Sequence, residues 1–397
     1  MRELKVLGDG HLNLSVAEWK EFFEQELNEQ VRAQVKALIE KALEAERDRY
    51  LNLGYYEHAP TFRLDWRNGF YFRDFVTRLG LLTGLKIPRT RHGFRTELLP
   101  RYQRRQEAVN ELVRQSFLRG ISTRQVGEVL EPVLGEAYSA QTISNITREL
   151  DSAVRQFHER KLTDEYLYLF LDGVVLKVRD ASGSVRRRVV LVACGITRTG
   201  RRELIAYQFA YNGESEASWT AFLQCLYLRG LEGKNLRLIV TDGGRGLGAA
   251  LPLAFAGIPV QLCWAHKMRN IADKVPRKDG SCVAEASSIY RARNKNEAQR
   301  AFRDWKQHWE SRRPNAVACV ERDLEALLNF FEVPEAHWKK VRTTNVIERA
   351  FREVRRRTRP MSSFSNPASC DRIVFGVISH LNRSWERKPL PEFTQNA

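Results

Sequence analysis

The sequence is poor in the features that mark secreted, redox-active or membrane proteins. Its 397 residues include six cysteines, and none of them forms a Cys-x-x-Cys pair, so neither a disulfide framework nor a thiol redox motif is expected. The start of the chain has no apolar core of the signal-peptide type, and no run approaches the roughly 18 apolar residues of a membrane span. Internal repeats and low-complexity tracts are also missing. We therefore expect an intracellular protein with reduced thiols.

Acidic residues are too few to balance the basic ones. The chain has 65 Lys and Arg against 48 Asp and Glu, a formal net charge of +17. An excess of this size favours a polyanionic partner, although an ordinary solubility charge is the alternative. Hydrophobic residues make up 43% of the sequence, which is enough for two or three folded domains.

The first 160 residues predict a mainly helical region that binds DNA. Residues 1–60 carry a long helical pattern after a cap at Asn13 or Ser15, whose apolar stripe is expected to be core or a dimer seam. Residues 61–160 begin with short strand-like runs in which aromatic and basic side chains alternate, which suits a small sheet on a phosphate backbone as well as a surface hairpin. Arg89 and Arg91 are the expected phosphate contacts there.

Residues 120–150 resemble a helix-turn-helix. Ser122 and Gln125 fit a capping box, Pro132 and Gly135 are expected to end that helix, and Ser139 can cap the next one. Short polar side chains and arginines would face outward, towards base edges and phosphates. An ordinary pair of packed helices remains the alternative. The expected DNA contacts are Arg124, Gln141, Thr142, Ser144, Asn145 and Arg148.

From about residue 164 the pattern becomes α/β. Three strand-like runs separated by turns predict an antiparallel meander, and strands alternating with helices follow it. This order is typical of a ribonuclease-H-like core. The predicted strands are 166–177, 187–197, 203–211, 236–240 and 260–262, with helices over 215–229 and 344–359. The core would comprise residues 161–267 and 343–397, interrupted by a helical insertion over 268–342 that is anchored by Trp305, Trp309 and Trp338.

Three carboxylates occupy places where this core would bring them together. Asp172 lies inside an apolar strand, where a charge is costly unless it is paired or bound to a metal. Asp242 follows the fourth strand, at the end where open α/β sheets collect ligands. Glu348 begins the last helix and is followed by arginines on an adjacent stripe. Each has a structural alternative: an outward-facing strand Asp, a helix N-cap and an ion-paired helix face.

Together the three predict a site for two Mg²⁺ ions, or Mn²⁺, because carboxylate oxygens with open positions suit these cations. Two such ions can activate an attacking oxygen and stabilise a leaving one in the displacement at a phosphodiester. The residues thus predict both metal ligands and catalytic groups, namely Asp172, Asp242 and Glu348.

Four motifs, in order, resemble the mutator-type transposases of bacterial insertion sequences, which are relatives of the eukaryotic Mutator-like elements. They are LDGVVLKVR, VTDGGRGL, QLCWAHKMRNI and TTNVIERAFREVRRRTR. The resemblance implies a ribonuclease-H-like domain with a helical insertion and a DDE triad that falls on Asp172, Asp242 and Glu348. It also implies action with Mg²⁺ on double-stranded DNA, both terminal inverted repeats and target, by a homodimer or higher oligomer in the bacterial cytoplasm, at the nucleoid. Gly244-Arg245 departs from many relatives and bears on local phosphate contacts.

Cys263 and His266 form a C-x-x-H motif that the resemblance places near the active site. Half of a zinc site is the alternative, with Cys282 or His308 as further ligands. Cys263 can be a buried small residue, and Trp264 can stack on a base or pack in the core. The expected DNA contacts near the active site are Arg245, Cys263, His266, Arg349, Arg352, Arg355, Arg356 and Arg359.

The sequence thus predicts a DDE transposase that cleaves and joins DNA. A ribonuclease-H-like nuclease or resolvase that cuts without joining is one alternative. A non-catalytic regulator that uses the helix-turn-helix is another, and it would need none of the three carboxylates.

Overall fold

The computed structural model describes residues 15–52, 65–119, 121–135, 138–180, 182–358, 363–364 and 366–394. The chain divides into two compact units, Met1–Arg148 and Glu149–Ala397. Within the described residues, no helix is both long and apolar enough to cross a membrane. All six cysteines are free.

The first unit combines a long helix, a two-stranded hairpin and three short helices. Its elements are α1 Val16–Leu51, β1 Arg67–Thr77, β2 Gly80–Thr90, α2 Glu107–Leu118, α3 Thr123–Leu134 and α4 Ala140–Arg148. Ser15, one of the two predicted caps, is the N-cap of α1 and forms a capping box with Glu18. The apolar stripe of α1 is buried at Leu43, whereas Trp19 and Phe23 near its start are exposed.

The predicted pair of helices after residue 120 is present. Ser122 and Gln125 form the capping box of α3, and the Ser139 hydroxyl accepts a hydrogen bond from the Thr142 amide at the start of α4. One detail of the prediction was wrong: Pro132 lies inside α3 and does not end it. Gly135 ends α3 because it adopts the left-handed conformation that closes a helix (φ 67°).

The second unit is built on a five-stranded mixed sheet with the order β5-β4-β3-β6-β7. The predicted meander forms β3, β4 and β5, which pair antiparallel, and β6 and β7 then add in parallel. The elements up to β7 are α5 Leu150–Glu159, β3 Tyr166–Arg179, β4 Val185–Thr197, β5 Arg202–Ala210, α6 Glu216–Leu228, β6 Leu238–Thr241, α7 Arg245–Ala254 and β7 Val260–Leu262.

Alternate residues of the central strand β3 build the cores on the two sides of the sheet. Leu169 and Leu171 pack with Trp219 of α6 and Leu247 of α7 on one side. Burying a side chain of this size contributes roughly 1.5–3 kcal/mol. The opposite side is covered by α5 and two helices from the end of the chain, which pack on β3, β4 and β5.

The remainder of the second unit is helical. Its helices are α8 Trp264–Ala272, α9 Gly280–Arg291, α10 Lys295–Trp309, α11 Pro314–Glu321, α12 Leu324–Leu328, α13 Glu335–Val341, α14 Asn345–Thr358, α15 Pro367–Glu386 and α16 Pro391–Thr394. Trp305 and Trp309 are buried, and the half-buried Trp338 packs edge-on against Phe331. Helix α14 returns the chain to the sheet, where it packs on β3 and β4.

Candidate active site

Asp172 lies on the central strand of the sheet and is 5% exposed. It pairs with Val192 of β4 on one side. On the other side, the parallel pairing of β3 with β6 ends at Leu171 and Thr241. The next residue of β3 is Asp172 and the next residue of β6 is Asp242, so the strand register brings the first two predicted carboxylates to the same edge of the sheet.

Asp242 is held in the turn between β6 and α7. Its Oδ1 accepts a hydrogen bond of 3.0 Å from the Gly244 amide. Gly243 has a φ of 86°, which an L side chain rarely adopts, so glycine is needed for the turn. The N-cap of α7 is Gly244, which excludes the helix-cap alternative for Asp242. The half-buried carboxylate therefore closes the turn through Oδ1 and does not cap the helix.

Glu348 reaches the same edge because the segment before α14 is tied to the end of β7. The Cys263 amide donates to the carbonyl of Thr241 at 2.7 Å. The Cys263 sulfur accepts hydrogen bonds from the amide and the hydroxyl of Thr344, at 3.3 and 3.5 Å. Glu348, in the first turn of α14, then meets α8, and its Oε1 lies 2.6 Å from Arg269 and 3.6 Å from Nε2 of His266.

The charges of these residues act on one another. Burial raises the pKa of Asp172 to about 7, with the negative charges of Asp242 and Glu348 adding to it, while His266 and a hydrogen bond with Thr344 oppose the rise. Interaction with the Cys263 sulfur raises the pKa of His266 to about 9 against the effect of burial. Burial alone would raise the pKa of Cys263, but the neighbouring His266 and the hydrogen bonds from Thr344 lower it. The three predicted carboxylates and His266 therefore lie close enough to act as one electrostatic unit.

A fourth carboxylate lies at this edge, and sequence reasoning missed it. Glu214 precedes α6 and is half-buried, and burial together with Asp242 raises its pKa, against the effect of His266. A signal was available: β5 runs in the same direction as β3, so the loop after β5 lies at the same edge of the sheet as Asp242.

The donor set suits a hard divalent cation. Within the described residues, no three His, Cys, Asp or Glu side chains are close enough together to hold an ion as they stand. The side chains at this edge nevertheless fit Mg²⁺ or Mn²⁺, because they offer carboxylate oxygens, which these cations prefer as ligands. In addition, the negative charges of Asp172 and Asp242 repel each other. A bound cation would relieve that repulsion.

The first two residues of the C-x-x-H motif, Cys263 and Trp264, have structural roles. Cys263 is 1% exposed and its sulfur is engaged by Thr344. Trp264 is also 1% exposed, and its Nε1 donates to the carbonyl of Leu327 at 2.7 Å, so it packs in the core and offers no face to a base. Of the motif, His266 alone faces the carboxylates.

The predicted arginines follow Glu348 along α14. Ile347, Phe351 and Val354 are buried, as the stripe predicted. The arginines on the other side are exposed, and so is Arg245 at the start of α7; on α14 they are Arg349, Arg352, Arg355 and Arg356. Arg356 pairs with Glu353 at 2.7 Å. Arg359 lies outside the described residues.

The first unit has a basic groove of about 1270 Å³ beside the hairpin. The predicted Arg89 and Arg91 line it and are exposed. The buried Asp65 fixes one wall, since it accepts hydrogen bonds from the amide and ring of His92. Sequence reasoning passed over several further lining residues; these are Arg73, Arg95, Arg101, Tyr102 and Arg104.

The predicted contacts on the helix pair are only partly outward. Gln141, Asn145 and Arg148 are exposed, and the Asn145 side-chain oxygen accepts hydrogen bonds from the other two. Thr142 and Ser144 are half-buried, whereas Arg124 on α3 is exposed.

Comparison with known proteins gives one consistent result. Residues 10–388 match the family described as Transposase, Mutator family. The chain is 37% identical over 357 residues to the transposase for insertion sequence element ISRM5 of Rhizobium meliloti, covering 89% of this chain and 88% of that one. It is 33% identical over 360 residues to the transposase for IS905 of Lactococcus lactis, 90% of each chain. It is 31% identical over 381 residues to the transposase for IS256 in transposon Tn4001 of Staphylococcus aureus, 94% of this chain and 96% of that one. The chain therefore belongs to the Mutator family of transposases, as its four motifs predicted.

Proposed function

We propose that the chain is a DDE transposase that cleaves the ends of its mobile element and joins them to target DNA, with Asp172, Asp242 and Glu348 as ligands for Mg²⁺. The observation that carries the proposal is the strand register that brings the buried Asp172 beside Asp242, where burial and the neighbouring negative charges raise the pKa of Asp172 to about 7. Such a centre suits a cation and a phosphodiester, and membership of a transposase family supports transposition as the reaction.

The proposal includes a ribonuclease-H-like core. The sheet order supports it, with three antiparallel strands followed by two parallel ones. In that core, residues 161–267 and 343–397 make up the catalytic domain and residues 268–342 are the helical insertion. Residues 1–60 serve in assembly of a homodimer or higher oligomer, and residues 61–160 bind DNA.

The residues divide the chemistry between them. When bound, two divalent ions would activate the attacking oxygen and stabilise the leaving one. Asp172 has to give up its proton to take part, and His266 carries a positive charge at neutral pH beside Glu348. The exposed arginines of α14 bind phosphates that flank the cut.

Two displacements complete the reaction. In the first, an oxygen of water forms a bond to phosphorus and the 3′ oxygen of the element's end leaves as a hydroxyl. In the second, that 3′-hydroxyl attacks a phosphodiester of the target, and a target 3′ oxygen leaves. The hydrolysis consumes one phosphodiester and one water, and the transfer breaks one target phosphodiester for each new one that it forms, so the enzyme needs neither a covalent intermediate nor an energy source.

The experiment uses the full chain with labelled DNA from the ends of its element, a plasmid target and Mg²⁺. Asp172→Asn, Asp242→Asn and Glu348→Gln should abolish cleavage while binding of the ends is kept. Asp180→Asn is the matched control, because Asp180 is held by Ser182 and Arg186 in the turn between β3 and β4. Joined products support a transposase, cut ends alone a nuclease, and binding without cutting a regulator. Cleavage by any of the three variants at the wild-type rate would refute the metal site.

The groove of the first unit is proposed to bind the terminal inverted repeats. Its arginines and the exposed polar side chains of α4 support this, since both are typical of phosphate and base-edge contacts. Arg89→Ala combined with Arg91→Ala should weaken end binding and make it less dependent on salt. Arg300→Ala, an exposed arginine of α10, is the control. Unchanged binding by the double variant would exclude the groove.

A further inference from the structure

The backbone that carries Glu214 is clamped against the turn that follows Asp242. A Cβ on Gly246 would lie 2.3 Å from the carbonyl oxygen of Glu214 and 2.8 Å from the amide nitrogen of Glu216. These distances are far below van der Waals contact, so only a residue without a side chain lets α7 start this close to the segment. Glu214 is therefore fixed beside the Asp242 turn by backbone packing.

The side chain of Glu214 extends over a second glycine. A Cβ on Gly173 would lie 2.4 Å from Oε1 of Glu214, so the carboxylate occupies the space that a side chain at position 173 would fill. Successive residues of a strand face opposite sides of the sheet, so Glu214 approaches from the side opposite Asp172. The carboxylate that it meets is that of Asp242.

Glu214 and Asp242 converge on one point. A Cβ on Gly244 would have Oδ1 of Asp242 at 3.4 Å and Oε2 of Glu214 at 3.8 Å. In the described part of the chain, the Glu214 carboxylate receives neither a hydrogen bond nor an ion pair, whereas Glu348 has Arg269 at 2.6 Å. Two half-buried carboxylates that face each other without an ion pair are unfavourable unless a cation joins them, and the charge of His266 opposes the raised pKa of Glu214 without cancelling it.

We propose that Glu214 is a fourth carboxylate of the metal centre and shares a divalent cation, Mg²⁺ or Mn²⁺, with Asp242. The proposal rests on the proposed function, because it assigns one more ligand to the same site. It explains why Gly246 packs closely on the backbone of Glu214 and why Gly173 leaves space for the Glu214 carboxylate. Together these two glycines place the Glu214 carboxylate beside Asp242.

The test measures metal binding directly. Binding of Mn²⁺ to the full chain on end DNA is followed by electron paramagnetic resonance of free Mn²⁺ and by the rise in melting temperature that Mn²⁺ produces. Glu214→Gln keeps the shape of the side chain and removes its charge, and it should weaken Mn²⁺ binding about tenfold or more. Glu216→Gln, two residues further on and exposed, is the matched control and should bind as the wild type does.

A second variant guards against an effect on folding. Gly173→Ala keeps the carboxylate but pushes it out of its place, so it should weaken Mn²⁺ binding in the same direction. Mn²⁺ binding that is unchanged in both variants would overturn the proposal. So would a Glu214→Gln variant whose melting temperature changes without metal but whose Mn²⁺-induced rise is that of the wild type, because this result shows a structural role alone.

Asp242→Asn separates this inference from the proposed function. If Asp242→Asn loses Mn²⁺ binding and cleavage while Glu214→Gln keeps both, the triad stands and the fourth carboxylate is rejected. If Asp242→Asn also keeps both, the metal site itself fails and the inference fails with it.

Discussion

The carboxylates of the site are held in two different ways. On the sheet, Asp172 lies within β3 and Asp242 directly follows β6, where it accepts a hydrogen bond from the Gly244 amide. On α14, Glu348 is paired with Arg269. The two carboxylates on the sheet side thus repel each other, whereas the negative charge of Glu348 on the helix side is already paired with Arg269. The difference indicates that a cation would relieve repulsion on the sheet side and would have to replace an arginine on the helix side.

Substitutions of Asp172 and Glu348 should have the largest effects, and their opposite effects on stability should distinguish the sheet side from the helix side. Asp172→Asn and Glu348→Gln should each lower cleavage by roughly a thousandfold or more, since a metal ligand is worth several kcal/mol in the transition state. Without metal, however, Asp172→Asn should raise the melting temperature because it removes a repelled, buried charge. Glu348→Gln should lower the melting temperature slightly, because the ion pair with Arg269 that is lost contributes up to about 1 kcal/mol to stability.

Melting curves in metal-free buffer check this contrast, with the exposed Glu216→Gln as the control. If Asp172→Asn melts below the wild type, or if both variants shift in the same direction, the two sides do not differ as described.

The pH dependence of stability should reflect the titration of Asp172 on the sheet side. The pKa of Asp172 is raised from 3.8 to about 7, so the folded chain binds this proton more tightly than the unfolded chain does. The contribution of this group to metal-free stability is therefore most favourable below pH 3.8 and falls as the pH rises to about 7. The gap in stability between Asp172→Asn and the wild type should widen over that range, by a few kcal/mol at most.

Cleavage should follow the same proton. At limiting Mg²⁺, the rate should rise with pH and level off above about 7, where Asp172 is deprotonated. A rate profile measured from pH 5 to 9 checks this, and a profile that is flat below pH 7 would contradict it.

Much of the sheet side could be predicted from the sequence. Apolar runs separated by turn residues mark β3, β4 and β5, and a glycine-rich turn after an apolar strand marks the position of Asp242. These are local signals, and the strand register converts them into proximity because Leu171 pairs with Thr241. Glu214 was missed because its neighbours, three glycines, belong to other segments of the chain and act only once the chain is folded.

The helix side was harder to predict. The buried stripe of α14 follows from its period, since Ile347, Phe351 and Val354 are buried. The partner of Glu348 does not follow, because Arg269 lies 79 residues away in sequence. The role of Cys263 was also open, since its sulfur accepts from Thr344 and such a contact leaves no sequence pattern. Side-chain contacts between distant segments depend on the tertiary structure that places them.

Cys263 joins the two sides, so its replacement should loosen them from each other. Its amide donates to Thr241 on the sheet, and its sulfur accepts from Thr344 before α14. Cys263→Ala leaves a buried amide without an acceptor, which should cost about 1–3 kcal/mol of stability and lower cleavage. Cys263→Ser keeps an acceptor and should lose less. Denaturant unfolding measures the stability of both variants, and equal stability of the alanine variant and the wild type would show that the contact is unimportant. The alternative that the C-x-x-H motif binds zinc is tested by measuring the zinc content of the wild type.

The smallest effect should come from the outer face of the helix side. Arg352 is exposed on α14, one turn after Glu348, where its guanidinium can bind a phosphate. Arg352→Ala should therefore weaken binding of end DNA by less than about 1 kcal/mol, leave the Mg²⁺ requirement unchanged and reduce the dependence of binding on salt by about one phosphate contact. Arg300→Ala on α10 should change neither. Titrations of end DNA at several salt concentrations measure the binding, and cleavage at several Mg²⁺ concentrations measures the metal requirement. An unchanged salt dependence in Arg352→Ala would exclude this arginine from the DNA interface. A changed Mg²⁺ requirement would show that the metal centre extends along α14.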